Sequence, residues 1–263
     1  MGKIVALMLG DVVGKAGCRA IFTYLPALRK KYKADIVIVN GENAADGRGM
    51  NPEIVDLFFR SSVDVITSGN HIWHNPDILP VIEKEKRLLR PENYPIGVHG
   101  SGHCTIKVKD TSVGVINLEG RAFLSNLRCP FNVGYEIVQK IRKETKTIII
   151  DFHAEWPEEK EALAMYLDGE ITALIGTHTH IQTGDYRISK KGTGYITDIG
   201  MTGPQNSVIG MDPRIVLEKN LTQMPLRMEV AEFTADIMGI SITIDSESGK
   251  TINMEPVWEK ATV

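Results

Sequence analysis

Short apolar runs rich in β-branched residues recur along the chain: Ile4 to Leu9, Ile36 to Val39, Val63 to Ile66, Val113 to Leu118, Thr147 to Ile150, Thr172 to Ile175 and Tyr195 to Ile199. A near-continuous apolar strand suits a sheet covered on both faces, because a half-exposed strand would alternate. Between the runs lie helical patterns. Ile21, Leu25, Leu28 and Tyr32 form one stripe at helical spacing. Pro157 to Leu167 opens with a proline followed by Glu158 and Glu159, a favourable start at the positive end of a helix dipole. This alternation predicts an α/β layered domain. Near the end, Leu226 to Val230 and Ile240 to Ile244 read as antiparallel strands that close it. The intervening stretch at 200–225, rich in Gly, Met and Pro, reads as an excursion forming a rim or an oligomer contact. No linker, repeat or break in composition divides the chain, so residues 1–263 are expected to form a single domain.

The chemistry gathers where the runs end. Asp11 follows the first, Glu42 and Asn43 the second, and Asn70 and His71 the third. The run at 147–150 leads into His153, and that at 172–175 into His178 and His180. Ligands of open α/β sheets bind outside the carboxyl ends of the strands, so these side chains are expected to converge on one edge. Imidazole suits zinc, iron and similar ions, whereas carboxylate and amide oxygens suit harder ones such as manganese. The set exceeds what one four-coordinate zinc needs and suits two adjacent ions. Two such ions can activate a hydroxide and stabilise both oxygens of an in-line displacement at phosphorus. Singly, each residue has a plainer role: Asp11 as a turn residue, Asn43 and Asn70 as helix caps, His153 as a satisfied core histidine. His178 and His180 stand apart, because alternate residues of an extended segment point the same way.

Other features add little. Gly10, Gly14 and Lys15 resemble a phosphate loop, but the spacing is short and Ala16 stands where Ser or Thr belongs. His74, His99 and His103 read as surface residues, and Arg121 is a substrate-phosphate candidate weighed against a surface ion pair. The net charge of −3 argues against stable nucleic-acid binding but not against a small nucleotide, since a metal site supplies positive charge locally. Cys18, Cys104 and Cys129 share no metal-like spacing and read as reduced thiols. With no signal-peptide pattern and no apolar stretch of about 20 residues, the expectation is a cytoplasmic protein that binds no membrane.

At these residues the chain resembles the calcineurin-like metallophosphoesterases, and among them the YmdB-type branch of 2′,3′-cyclic nucleotide phosphodiesterases. The resemblance runs from Gly10-Asp11-Val12-Val13-Gly14 through Gly41-Glu42-Asn43 and Gly69-Asn70-His71 to Asp151-Phe152-His153-Ala154-Glu155. It continues through Gly176-Thr177-His178-Thr179-His180 and Thr197-Asp198-Ile199-Gly200-Met201-Thr202-Gly203-Pro204. The wider superfamily has a histidine where Val13 stands and a bridging aspartate where Glu42 stands; the YmdB-type branch shares both departures, with Asn43 making up the lost ligand. The resemblance implies a β-sandwich flanked by helices, in α-β-β-α layers. It assigns one metal to Asp11, Glu42, Asn43 and His180 and the other to Glu42, Asn70, His153 and His178, with His71 as the general acid. It also implies two divalent or mixed-valence transition-metal ions, iron or manganese, and a homo-oligomer. Asp151 and Asp198 are candidates to orient the imidazoles, since metal-bound imidazoles donate their other N–H to a carboxylate or carbonyl. The expected activity is dinuclear hydrolysis of 2′,3′-cyclic nucleotides or other phosphomono- and diesters. The alternatives are a metal-dependent regulatory protein acting through partner binding, and a dinuclear amidohydrolase.

Overall fold

The computed structural model describes residues 2–261. Its strands are β1 (Lys3–Leu9), β2 (Asp11–Val12), β3 (Ile36–Asn40), β4 (Val65–Thr67), β5 (His103–Val108), β6 (Thr111–Glu119), β7 (Ile148–His153), β8 (Ala173–Thr177), β9 (Arg187–Ile188), β10 (Gly194–Ile196), β11 (Met201–Pro204), β12 (Ala235–Asp245) and β13 (Thr251–Ala261). The helices are α1 (Gly14–Lys31), α2 (Pro52–Arg60), α3 (Leu79–Ile82), α4 (Pro130–Ile141), α5 (Pro157–Tyr166) and α6 (Pro213–Thr222).

One sheet runs β2-β11-β12-β1-β3-β4, with β13 also paired to β12; the other runs β5-β6-β7-β8-β10-β9. The two sheets face each other, and the period-two alternation of each strand sends its residues to different layers. Ile4, Ala6 and Met8 of β1 meet Val113, Val115, Ile149 and Ile175 between the sheets. Leu7 and Leu9 instead pack outward with Ile21, Leu25 and Phe58 beneath α1 and α2. On the opposite side Ile148, Ile150 and Phe152 of β7 pack with Val138 of α4 and Leu163 of α5. Both faces of each central strand are therefore buried, which is why the runs read as continuous. Each fully buried aliphatic or aromatic side chain contributes roughly 1.5–3 kcal/mol. The result is the expected calcineurin-like sandwich of α-β-β-α layers.

Strands β1, β3 and β4 run parallel, as do β6, β7, β8 and β10. Their carboxyl ends thus emerge together. Leu226 to Val230 departs from expectation. It is not a strand: Val230 makes one isolated bridge to Met211, and Leu226, Arg227 and Met228 line a cavity instead of joining a sheet. The excursion at 200–225 contains β11, which enters the first sheet, and α6, none of whose residues is buried. Among the described residues no helix is long and apolar enough to cross a membrane.

Candidate metal centre

The carboxyl ends of five strands bring together all seven expected ligands and His71. Asp11 opens β2, fully buried, and Glu42 lies just beyond β3, also fully buried. His153 ends β7; its Nε2 is 3.0 Å from Glu42 Oε1, 3.1 Å from Asn70 Oδ1 and 2.9 Å from His178 Nδ1. Ligand atoms of Glu42, His153 and His178 all lie within 4.8 Å of one another, close enough to hold one cation. On the other side of Glu42, His180 Nε2 is 3.1 Å from Asn43 Nδ2 and 3.7 Å from Asp11 Oδ1. Asn43 Nδ2 also donates to Glu42 Oε1 at 3.3 Å.

The second nitrogen of each of these imidazoles is anchored. His153 Nδ1 meets Thr177 Oγ1 at 3.0 Å, His178 Nε2 meets Glu155 Oε2 at 3.0 Å, and His180 Nδ1 donates to the Ile209 carbonyl at 2.8 Å. Anchoring of this kind fixes the tautomer and turns the remaining nitrogen inward as a lone pair. Burial reinforces it, holding His153 down at about 4 and His178 at about 3, so both are neutral, the form that binds metal. The Asp11 carboxyl is pushed up by burial, with His180 and His153 opposing. Unscreened donors packed this tightly repel, and a cation among them removes the repulsion. Close backbone approach is part of the arrangement. A Cβ at Gly69 would stand 2.1 Å from His153 Cδ2 and 2.3 Å from Glu42 Oε2.

Asp151 reaches an imidazole through an intermediary. Its Oδ1 accepts from Thr177 Oγ1 at 2.7 Å, and Thr177 in turn holds His153. Thr67 and Asn40 also donate to Asp151, yet burial pushes its carboxyl up to about 7. Among the described residues Asp198 meets no imidazole; it accepts from Lys160 Nζ and from the Thr179 and Gly200 amides.

His71 is half-buried, with Nδ1 2.7 Å from Asn43 Oδ1 and its amide donating to Glu42 Oε2 at 3.2 Å. It faces a cavity of about 780 Å³ that is also lined by Glu42, His178, His180, Arg48, Lys219 and Arg227. Those three cations were not singled out in the sequence, and Glu155 and Thr177 entered it only as members of the shared motifs, without a role of their own. Arg121 does not line this cavity. It is exposed beside a separate one formed with Phe131, Trp156 and Glu159, and its amide donates to Glu159. His99 is exposed as expected, whereas His103 is largely covered and pairs with Glu92 at 3.1 Å.

The family model for YmdB-like proteins matches residues 7–257. The chain belongs to the YmdB-like family. It is 43% identical, over 95% of each chain, to a Bacillus subtilis (strain 168) relative named 2′,3′-cyclic-nucleotide 2′-phosphodiesterase. The crystal structure of a novel phosphatase from Mycoplasma pneumoniae matches with a TM-score of 0.93 and 35% identity, covering 99% of this chain and 95% of that one. The NAD nucleotidase of Haemophilus influenzae, at 12% identity and a TM-score of 0.65, covers 99% of this chain and 56% of its own. That last likeness shows that the YmdB-like sandwich is shared with nucleotidases as a fold.

Proposed function

We propose that this protein is a dinuclear metal-dependent phosphodiesterase that opens 2′,3′-cyclic nucleotides and accepts other phosphomono- and diesters. As a member of a family whose named relatives are phosphodiesterases and phosphatases, it is a phosphoric ester hydrolase. The observation that carries the finer reading is the three imidazoles, each anchored at one nitrogen and turned inward at the other around Glu42. In this reading Asp11, Glu42, Asn43 and His180 hold one ion, and Glu42, Asn70, His153 and His178 hold the other. Iron or manganese suits this mixture of imidazole, carboxylate and amide. Bound ions supply Lewis acidity and activate water for attack at phosphorus.

The chain's own groups do the rest. His71, facing the cavity beside Asn43, delivers a proton to the departing ribose oxygen. Arg48, Lys219 and Arg227 offset phosphate charge and orient the nucleotide. Residues 1–263 act as one domain, with the excursion at 200–225 supplying part of the cavity rim through Ile209, Met211 and Lys219, or an oligomer contact. A cytoplasmic homo-oligomer completes the reading.

The test is hydrolysis of 2′,3′-cyclic AMP by metal-stripped protein with and without added Mn²⁺, alongside a peptide panel. Manganese-dependent opening of the cyclic phosphate is expected. Peptide cleavage instead would favour an amidohydrolase, and two bound ions without any turnover would favour a role in partner binding.

A further inference from the structure

Lys160 is fully buried, which is rare for lysine. It projects from α5, beside Leu163 and Ala164 on the face that packs against the second sheet. Its Nζ donates to the Thr177 carbonyl at 2.9 Å and to Asp198 Oδ2 at 3.0 Å. Asp198, also fully buried, accepts the Thr179 amide on Oδ2 at 3.0 Å and the Gly200 amide on Oδ1 at 2.9 Å. The pair therefore grips the backbone on both sides of His178, by the carbonyl before it and the amide after it.

What it grips is strained. His178 has φ 102° and His180 φ 66°, in the left-handed region that non-glycine residues seldom adopt. Such conformations persist only where the surroundings over-determine them. A buried ion pair is in general no more stabilising than well-packed apolar residues of the same size, so its geometry is its distinctive contribution. Close packing leaves little room for the strand below to adjust, since a Cβ at Gly176 would stand 1.7 Å from the Thr197 carbonyl oxygen.

We infer that the Lys160–Asp198 pair is a positioning device that holds the His178-Thr179-His180 turn in its metal-binding conformation. The inference rests on the two-metal reading above. Neither residue touches the reacting atoms; both act through the two histidines.

The test measures Mn²⁺ affinity by calorimetry on metal-stripped protein, well below the melting temperature, together with the melting temperature of the metal-free form. The double variant Lys160→Met/Asp198→Asn removes both charges and leaves no lone buried ion. Folded, it should bind Mn²⁺ about 10–100-fold more weakly than wild type, the loss typical of an outer partner of a metal ligand. A pair that merely fills the core would change the melting temperature and leave the affinity of the folded protein alone, which would overturn the inference. If the double variant does not fold, Asp198→Asn carries the same test. It keeps the size of the side chain but cannot accept from Lys160, Thr179 and Gly200 together. Wild-type protein that binds no Mn²⁺ would sink the two-metal reading and this inference with it. Wild type holding two ions beside an equally tight variant would sink this inference alone.

Discussion

His71 Nδ1 lies 2.7 Å from Asn43 Oδ1, while Asn43 Nδ2 faces Asp11, Glu42 and His180. The amide thus turns its nitrogen towards the acceptors of the centre and its oxygen towards His71. Asn43 Oδ1 is placed to accept from His71 Nδ1–H, which leaves Nε2 of the protonated imidazole as the nitrogen that would hand its proton to substrate in the cavity. Protonation of a ribose leaving oxygen contributes about 10²–10⁴-fold, so His71→Ala should lose turnover of a cyclic nucleotide by that range while keeping its metal. A nitrophenyl diester, whose leaving group needs no proton, should suffer much less. Equal losses on both substrates would end the general-acid role.

Glu42 stands between the two halves of the centre, 3.0 Å from His153 and 3.3 Å from Asn43. Glu42→Ala should release both ions together, whereas Asn43→Ala should deplete mainly the one beside Asp11 and His180. Metal analysis after gel filtration reads both outcomes. Two ions retained by the Glu42→Ala protein would refute the bridging assignment.

Acid stability follows from groups of opposite sign. The native state keeps His153 and His178 neutral down to about 4 and 3, while the unfolded chain protonates them near 6.5, so stability is lost as pH falls below 6.5. Asp151, pushed up to about 7, opposes this: the native state takes up its proton before the unfolded chain does, and stability is gained as pH falls towards 3.8. Asp151→Asn removes only the opposing contribution. The metal-free variant should therefore lose stability more steeply than wild type between pH 6.5 and 4, by up to about 1.4 kcal/mol per pH unit. Urea unfolding across that range checks it, and identical slopes would mean that Asp151 is ionised in the native protein.

The central strands and the ligands beyond them were legible because burial on both faces leaves an unbroken apolar run and the chemistry starts where the run stops. Edge strands lack that signature. Among the described residues β13 pairs with β12 alone and leaves most of its side chains exposed or half-buried, and β5 is half-exposed, so neither stood out. Lys160 sits in a Glu-Glu-Lys-Glu segment that reads as a solvated helix face; its burial depends on Asp198, brought close only by the fold. Lys219 is hidden for a related reason. α6 buries no residue, so no apolar stripe announces the helix or the way it faces the cavity.

Those rim cations yield the last prediction. Arg48, Lys219 and Arg227 come from three separate segments, all solvent-exposed, and line the same cavity as Glu42 and His71. Exposed cations bind phosphate in the ground state and the transition state about equally, which affects KM more than kcat. Lys219→Ala and Arg227→Ala should each raise KM for a cyclic nucleotide by about 10-fold, near the lower end for a hydrogen bond to a charged group. Their kcat should change little. Salt should weaken the wild type more than either variant, because screening acts on the same attraction that the substitution removes. Arg48 differs in adding its charge to the burial that holds the His71 imidazole below its ordinary value. Arg48→Ala should therefore raise KM and also shift the pH dependence of kcat upward, as protonated His71 persists to higher pH. Steady-state kinetics from pH 5 to 9 at two salt concentrations separate these effects. An unchanged KM in all three variants would place substrate elsewhere in the cavity.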